Sequence, residues 1–208
     1  MSDWIRSQWD YFVITPPAET PISVTEAKAF MRIDFDTDDT LIGNLIEAAV
    51  ECGQSITRLV FIKTEFRTFR NGFGEVRSFT AGGELPLVLR KSPFIATTLF
   101  TYKDADNVVV TLIKDTDYFE EIVADYSKVR PEDLWPFDNK SRVQSIIIEF
   151  EAGFENAAAV PQDIKTALLQ HVTFLYENRG DCDCACDDKS AASSGAMAIY
   201  QKRRILEI

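Results

Sequence analysis

The spacing of apolar residues changes twice along this chain, and that change constrains the fold more than any other feature. Leu41, Ile42, Leu45, Ile46, Ala49, Cys52, Gly53, Ile56 and Leu59 recur three and four apart. The pattern predicts an amphipathic helix of about six turns beginning near Thr37. From Phe61 the period drops to two. Thr64, Phe66 and Thr68 alternate with Glu65, Arg67 and Phe69 in a stretch rich in β-branched and aromatic residues. Further strands are expected at Leu85 to Leu89, Ala96 to Tyr102, Val108 to Ile113, Tyr118 to Val123 and Val143 to Glu151. The turn residues Asp104 to Asn107 suit a hairpin between two of them. Helical spacing returns with Ile164, Ala167, Leu168, His171, Val172, Leu175 and Tyr176. Pro161 suits the first turn of that helix and Gly180 its stop.

The expected class is therefore α+β, with N- and C-terminal helices packed together around an inserted antiparallel β region and with extended termini. At 208 residues one domain is the default. Its parts would be an extended arm at 1–20, helices at 21–60, a β insert at 61–155, a closing helix at 160–180, and a loop and tail at 181–208.

Local signals refine this layout. Ser23 and Glu26 form a capping box that starts a short helix, Val24 to Arg32, with Ala27, Phe30 and Met31 on one side. Pro16, Pro17 and Pro21 keep the preceding arm out of helix, and Trp4, Trp9, Tyr11 and Phe12 are its apolar handles. Such an arm either packs on its own domain or reaches a neighbour. Gly72, Gly74, Gly82 and Gly83 bracket a mobile loop, and Trp135 anchors a polar loop, RPEDLWPFDNKS.

Composition excludes several classes of function. Lys and Arg number 22 against 33 Asp and Glu, a net charge of −11 that repels nucleic-acid phosphates overall. DNA gripping is not expected, although DNA sliding past remains compatible. No apolar run reaches the roughly 18 residues of a membrane span, and the N-terminus lacks the pattern of a secretory signal.

Catalysis would need a nucleophile with a base, a paired carboxylate site or a metal. The single histidine, His171, sits on the apolar stripe of the closing helix, where a packing role is the expectation. No nucleophile elbow, phosphate-binding loop or dinucleotide fingerprint occurs. The carboxylates cluster in turns such as DFDTDD, where helix capping accounts for them. Cys182, Cys184 and Cys186 alternate within DCDCACDD, a spacing that departs from the paired CxxC knuckles of zinc sites. They are weak metal candidates, and a solvated loop is the plainer account. Neither a catalytic residue nor a cofactor is expected. Lys202, Arg203 and Arg204 form a cationic patch beside Ile205, Leu206 and Ile208, an end suited to docking on a partner.

Three separated stretches, taken in order, resemble the head–tail connector (adaptor, or head-completion) family of long-tailed bacteriophages and prophages. The first is PISVTEAKAFMRID followed by DDTLIGNLIEAAVECGQSITRLVF. The second runs from FRTFRNGFG through LPLVLRKSPF to EFEAGF, and the third is VPQDIKTALLQHVTFLYENRG with YQKRRI. The resemblance implies a structural subunit of the virion neck, assembled in the host cytoplasm. It would form a ring of about twelve copies under the portal protein, extending the DNA channel and docking a stopper or tail-completion protein.

Carried onto this chain, Leu41, Leu45, Ile56, Ile164, Leu168, His171, Leu175 and Tyr176 would belong to helices that pack together and build the ring. Ile199, Tyr200, Lys202, Arg203, Arg204, Ile205, Leu206 and Ile208 would be the portal-facing tail, and the aromatic arm would reach neighbours. The cysteine-rich loop departs from the family pattern. Two other classes compete: a stopper-like neck or tail-completion protein, and a metal- or redox-active module built on the CxCxC loop.

Overall fold

The computed structural model describes residues 11–73, 86–123, 126–136, 144–179 and 188–205. Trp4, Trp9, Gly74, Gly82, Gly83, Gly180, Cys182, Cys184, Cys186, Leu206 and Ile208 lie outside the described residues. Where the sequence favours one domain, the chain divides into two compact units, each with its own core.

The first, helical unit comprises Pro17–Lys63 and Gly153–Ile208. It holds α1 (Val24–Met31), α2 (Asp39–Thr57), α3 (Gln162–Glu177), α4 (Asp188–Ser193) and α5 (Ala196–Arg203). The capping box forms as expected: the Ser23 hydroxyl accepts the Glu26 amide, and the Glu26 carboxylate accepts the Ser23 amide. The N- and C-terminal helices pack on one another, and their apolar stripes merge into a single core containing Ile42, Ile46, Ala49, Ile164, Leu168 and Val172. Each of these larger aliphatic side chains, fully withdrawn from water, stabilises the unit by about 1.5–3 kcal/mol.

Gly53 lets α2 come close to the side chains beside it. A Cβ there would lie 3.0 Å from Phe61 and 3.2 Å from Tyr200. The loop expected from Asp181 to Gly195 instead contains α4, whose Ser190 and Ala191 are buried.

The second, β unit comprises Met1–Pro16 and Thr64–Ala152. Its strands are β1 (Tyr11–Thr15), β2 (Thr64–Arg70), β3 (Leu87–Leu89), β4 (Phe94–Lys103), β5 (Val109–Thr111), β6 (Tyr118–Val123), β7 (Tyr126–Pro131) and β8 (Ile146–Ala152). Five make an antiparallel sheet in the order β1-β2-β8-β4-β5, and three make another, β3-β7-β6. Burial alternates along the whole of β8 and along β2 from Thr64 to Phe69, as the period of two requires.

Two of these strands were not expected. β1 is drawn from the supposed arm, and it becomes a strand because β2 supplies its backbone partners. β7 shows no clean apolar alternation, since one of its two fully buried residues is a serine, Ser127. Trp135 is 1% exposed and stacks on Phe73 at 4.9 Å between ring centroids, so it anchors its loop within an aromatic core. Among the described residues no helix is long and apolar enough to cross a membrane.

Candidate assembly surfaces

The residues expected to build a ring are, in this chain, largely core. Ile164, Leu168 and His171 are fully buried and Leu175 nearly so. Leu45, Ile56 and Tyr176 are half-buried against the same cluster, and Leu41 is also half-buried. α2 and α3 are tied at one end by polar contacts. The Tyr176 hydroxyl donates to the Asp38 carboxylate at 2.6 Å, and the Arg179 guanidinium lies 4.5 Å from the Tyr176 ring centroid.

His171 Nε2 and the Ser190 hydroxyl share a hydrogen bond of 2.9 Å. A His–Ser pair could carry nucleophilic chemistry if a substrate could reach it. Both residues are buried, at 0% and 1% exposure, so the pair locks α4 onto α3 instead.

The C-terminal segment does not hang free as far as residue 205. Tyr200 is fully buried and its ring centroid lies 6.2 Å from that of His171. Ile199 is half-buried against the same core, which corrects the expectation that both face outward. The Ile205 amide donates to the Thr57 carbonyl at 2.9 Å, and Arg203 pairs with Asp163 at 2.8 Å. That guanidinium holds the Asp163 carboxyl below its ordinary value. Lys202 and Arg204 remain exposed, so the outward face of this segment is cationic.

The aromatic arm is likewise split. Tyr11 packs edge-on against Phe150 at 5.9 Å, and its hydroxyl accepts the Arg90 amide at 3.0 Å. Burial pushes that hydroxyl up to about 12. Phe12, the next residue, is 52% exposed. Part of the expected arm is thus an edge strand of its own sheet.

Several exposed apolar residues escaped the sequence pattern. Phe30 and Phe35 are both about half exposed, although helical spacing put Phe30 on the covered side of α1. Val109 on β5, with Val108 and Ile113 flanking it, looks like a strand-core residue by type, yet all three are more than half exposed at this edge of the sheet. Residue type alone cannot signal this; only the strand order does. The acidic turn before α2 is engaged rather than open. Lys28 pairs with Asp36 at 2.5 Å and Asp39 at 2.7 Å, which holds the Asp36 carboxyl low. Among the described residues, no group of three or more His, Cys, Asp or Glu side chains could hold a metal ion.

Comparison with known proteins now bears on these surfaces. Residues 21–71 match the family described as phage gp6-like head-tail connector protein. No curated protein matches the sequence. A chain from the neck of an empty gene transfer agent particle, computed with C6 symmetry, superposes with a TM-score of 0.72 at 17% identity, covering 96% of this chain and 97% of that one. A chain from the virion of the native gene transfer agent particle gives 0.69 at 18% identity, covering 95% and 96%. A third, from the native neck computed with C12 symmetry, gives 0.62 at 17% identity, covering 94% and 97%. The family and these neighbours are structural parts of phage-like particles, not enzymes. The chain resembles the phage head–tail connector family, in sequence over residues 21–71, and over nearly its whole length it has the fold of chains from particle necks.

Proposed function

We propose that this chain is a structural, non-catalytic subunit of the neck of a phage or phage-like particle. It forms a closed ring of about twelve copies beneath the portal protein, by analogy with the neck of twelve-fold symmetry. That ring extends the DNA channel and offers the surface on which a stopper or tail-completion protein docks. One observation carries the proposal: a connector-type segment at residues 21–71 sits within a fold shared, almost end to end, with neck chains.

The chemistry is compatible with the role. A net charge of −11 per copy, multiplied around a ring, lets DNA pass without being gripped. The exposed Lys202 and Arg204 give a cationic patch for an acidic portal surface. Tyr200 and Ile199 act from behind that patch by fixing α5 to its own core.

Deleting the gene tests the proposal at the level of the particle. The expected product is heads and tails that accumulate separately, with packaged DNA poorly retained. Intact tailed particles without this protein would refute it.

A further inference from the structure

The five-stranded sheet ends in two edges, and neither carries a charge or a proline within its strand. Edge strands are usually blunted by charges, by proline or by a covering element, because their unpaired amides and carbonyls invite another strand. β1 reads YFVIT and β5 reads VVT, with no charge and no proline in either. Among the described residues, each pairs on one side only. Phe12, Val13 and Ile14 are 52%, 56% and 38% exposed, and since consecutive residues point to opposite faces, β1 is open on both. At the other end of the sheet Val108, Val109 and Ile113 are 58%, 59% and 61% exposed. The register of β1 shifts only between Val13 and Thr15, so Tyr11 to Val13 remain regular.

We infer that β5 of one copy pairs with β1 of the next, so that this seam joins neighbouring subunits of the ring; this rests on the neck-ring function proposed above. A ring needs two different patches on each subunit, placed so that one meets the other after rotation. Opposite edges of one sheet meet that requirement.

Strand direction adds a constraint. Every neighbouring pair in the sheet is antiparallel, and with five strands β1 and β5 run the same way. A small rotation from one copy to the next preserves that direction, so the seam is parallel. Pairing of β1 with β1 across a two-fold axis would instead be antiparallel and would stop at a dimer. β5 has only three residues in its ladder, so a single seam is weak. Subunits already held on a portal gain the local concentration that makes a weak seam close.

Photo-crosslinking reads the seam directly. Phe12 is replaced by p-benzoylphenylalanine, which suits an exposed aromatic position, and the protein is assembled on its portal and irradiated. β1 and β5 of one chain stand four strand spacings apart, about 19 Å, so a link between them has to join two copies. The expected result is a two-chain band on a denaturing gel whose linked peptide joins residue 12 to the segment 108–113. Rings that form but link residue 12 to another β1, to the portal or to nothing would overturn the seam while leaving the neck function standing. Unsubstituted protein that forms no ring on the portal would overturn both. In a second arm, Val13→Lys with Val109→Lys is expected to keep the wild-type thermal unfolding profile and to lower ring occupancy about tenfold or more. Undiminished rings in that variant would also overturn the seam.

Discussion

The helical unit and the β unit solve the burial problem in opposite ways. In the helical unit the backbone bonds are satisfied within each helix, so the remaining demand is cover for one apolar stripe per helix. The unit supplies that cover itself: its core is mainly aliphatic, with Tyr200 and Phe61 as the large aromatic members, and among its described residues only Phe30 and Phe35 are large, apolar and exposed. The β unit is built around rings, with Phe73, Phe100 and Trp135 in mutual contact and Tyr118 edge-on to Phe100. It leaves apolar residues uncovered on three edge strands, β1, β5 and β6. Helices close on themselves, whereas open sheets end in edges. The difference places the folding determinants of the helical unit inside it and the strongest self-association signal on the β unit.

The largest effect that would break this contrast comes from the aromatic core. Trp135→Ala is expected to cost about 3–5 kcal/mol, read from urea unfolding, because it removes the ring that stacks on Phe73 and contacts Phe100. A loss under about 1 kcal/mol would mean that the rings of the β unit are not its core.

Next in size is a paired glycine test of how tightly the helical unit closes. Gly53→Ala drives a methyl to 3.0 Å from Phe61 and is expected to destabilise by about 1–3 kcal/mol. Gly43→Ala, on the same helix, meets only a Val24 methyl at 4.0 Å and is expected to stabilise by about 0.5–1 kcal/mol. Equal effects at both positions would remove the close approach at Gly53 from the account. Ser23→Ala follows, at about 1 kcal/mol, through loss of the α1 cap.

The smallest effect concerns pH. The Ser23 amide holds the Glu26 carboxyl below its ordinary value, and Arg203 does the same for Asp163. Carboxyls lowered in the folded state add stability above their ordinary values and lose it as pH falls through the lowered ones. Arg203→Gln therefore weakens the helical unit at neutral pH, and its difference from the unsubstituted protein shrinks as pH falls through the lowered Asp163 value. A difference that grows on acidification would have the wrong sign.

The same contrast explains what the sequence revealed. α2, α3 and the capping box were legible because their signals lie within a few residues of one another, and the fold class followed from them. α2 begins at Asp39 rather than near Thr37, and Pro161 caps α3 rather than lying within it, differences of one or two residues. β1 and β7 were not legible, because a strand is made by its partner: β1 needs β2, some fifty residues away. The arm and tail misled for a related reason. Tyr11, Ile199 and Tyr200 are apolar at chain ends, and sequence cannot say whether such residues cover their own core or another chain's. Here they cover their own. Phe12 was already a candidate as part of the arm, whereas Val13 and Val109 became candidates only once the strand order was known.

Electron microscopy of the portal mixed with this chain tests the central claim most directly. The account predicts density for a ring of copies beneath the portal, with adjacent β units joined edge to edge. A portal left bare at saturating protein, or decorated by isolated subunits that never close, would contradict it.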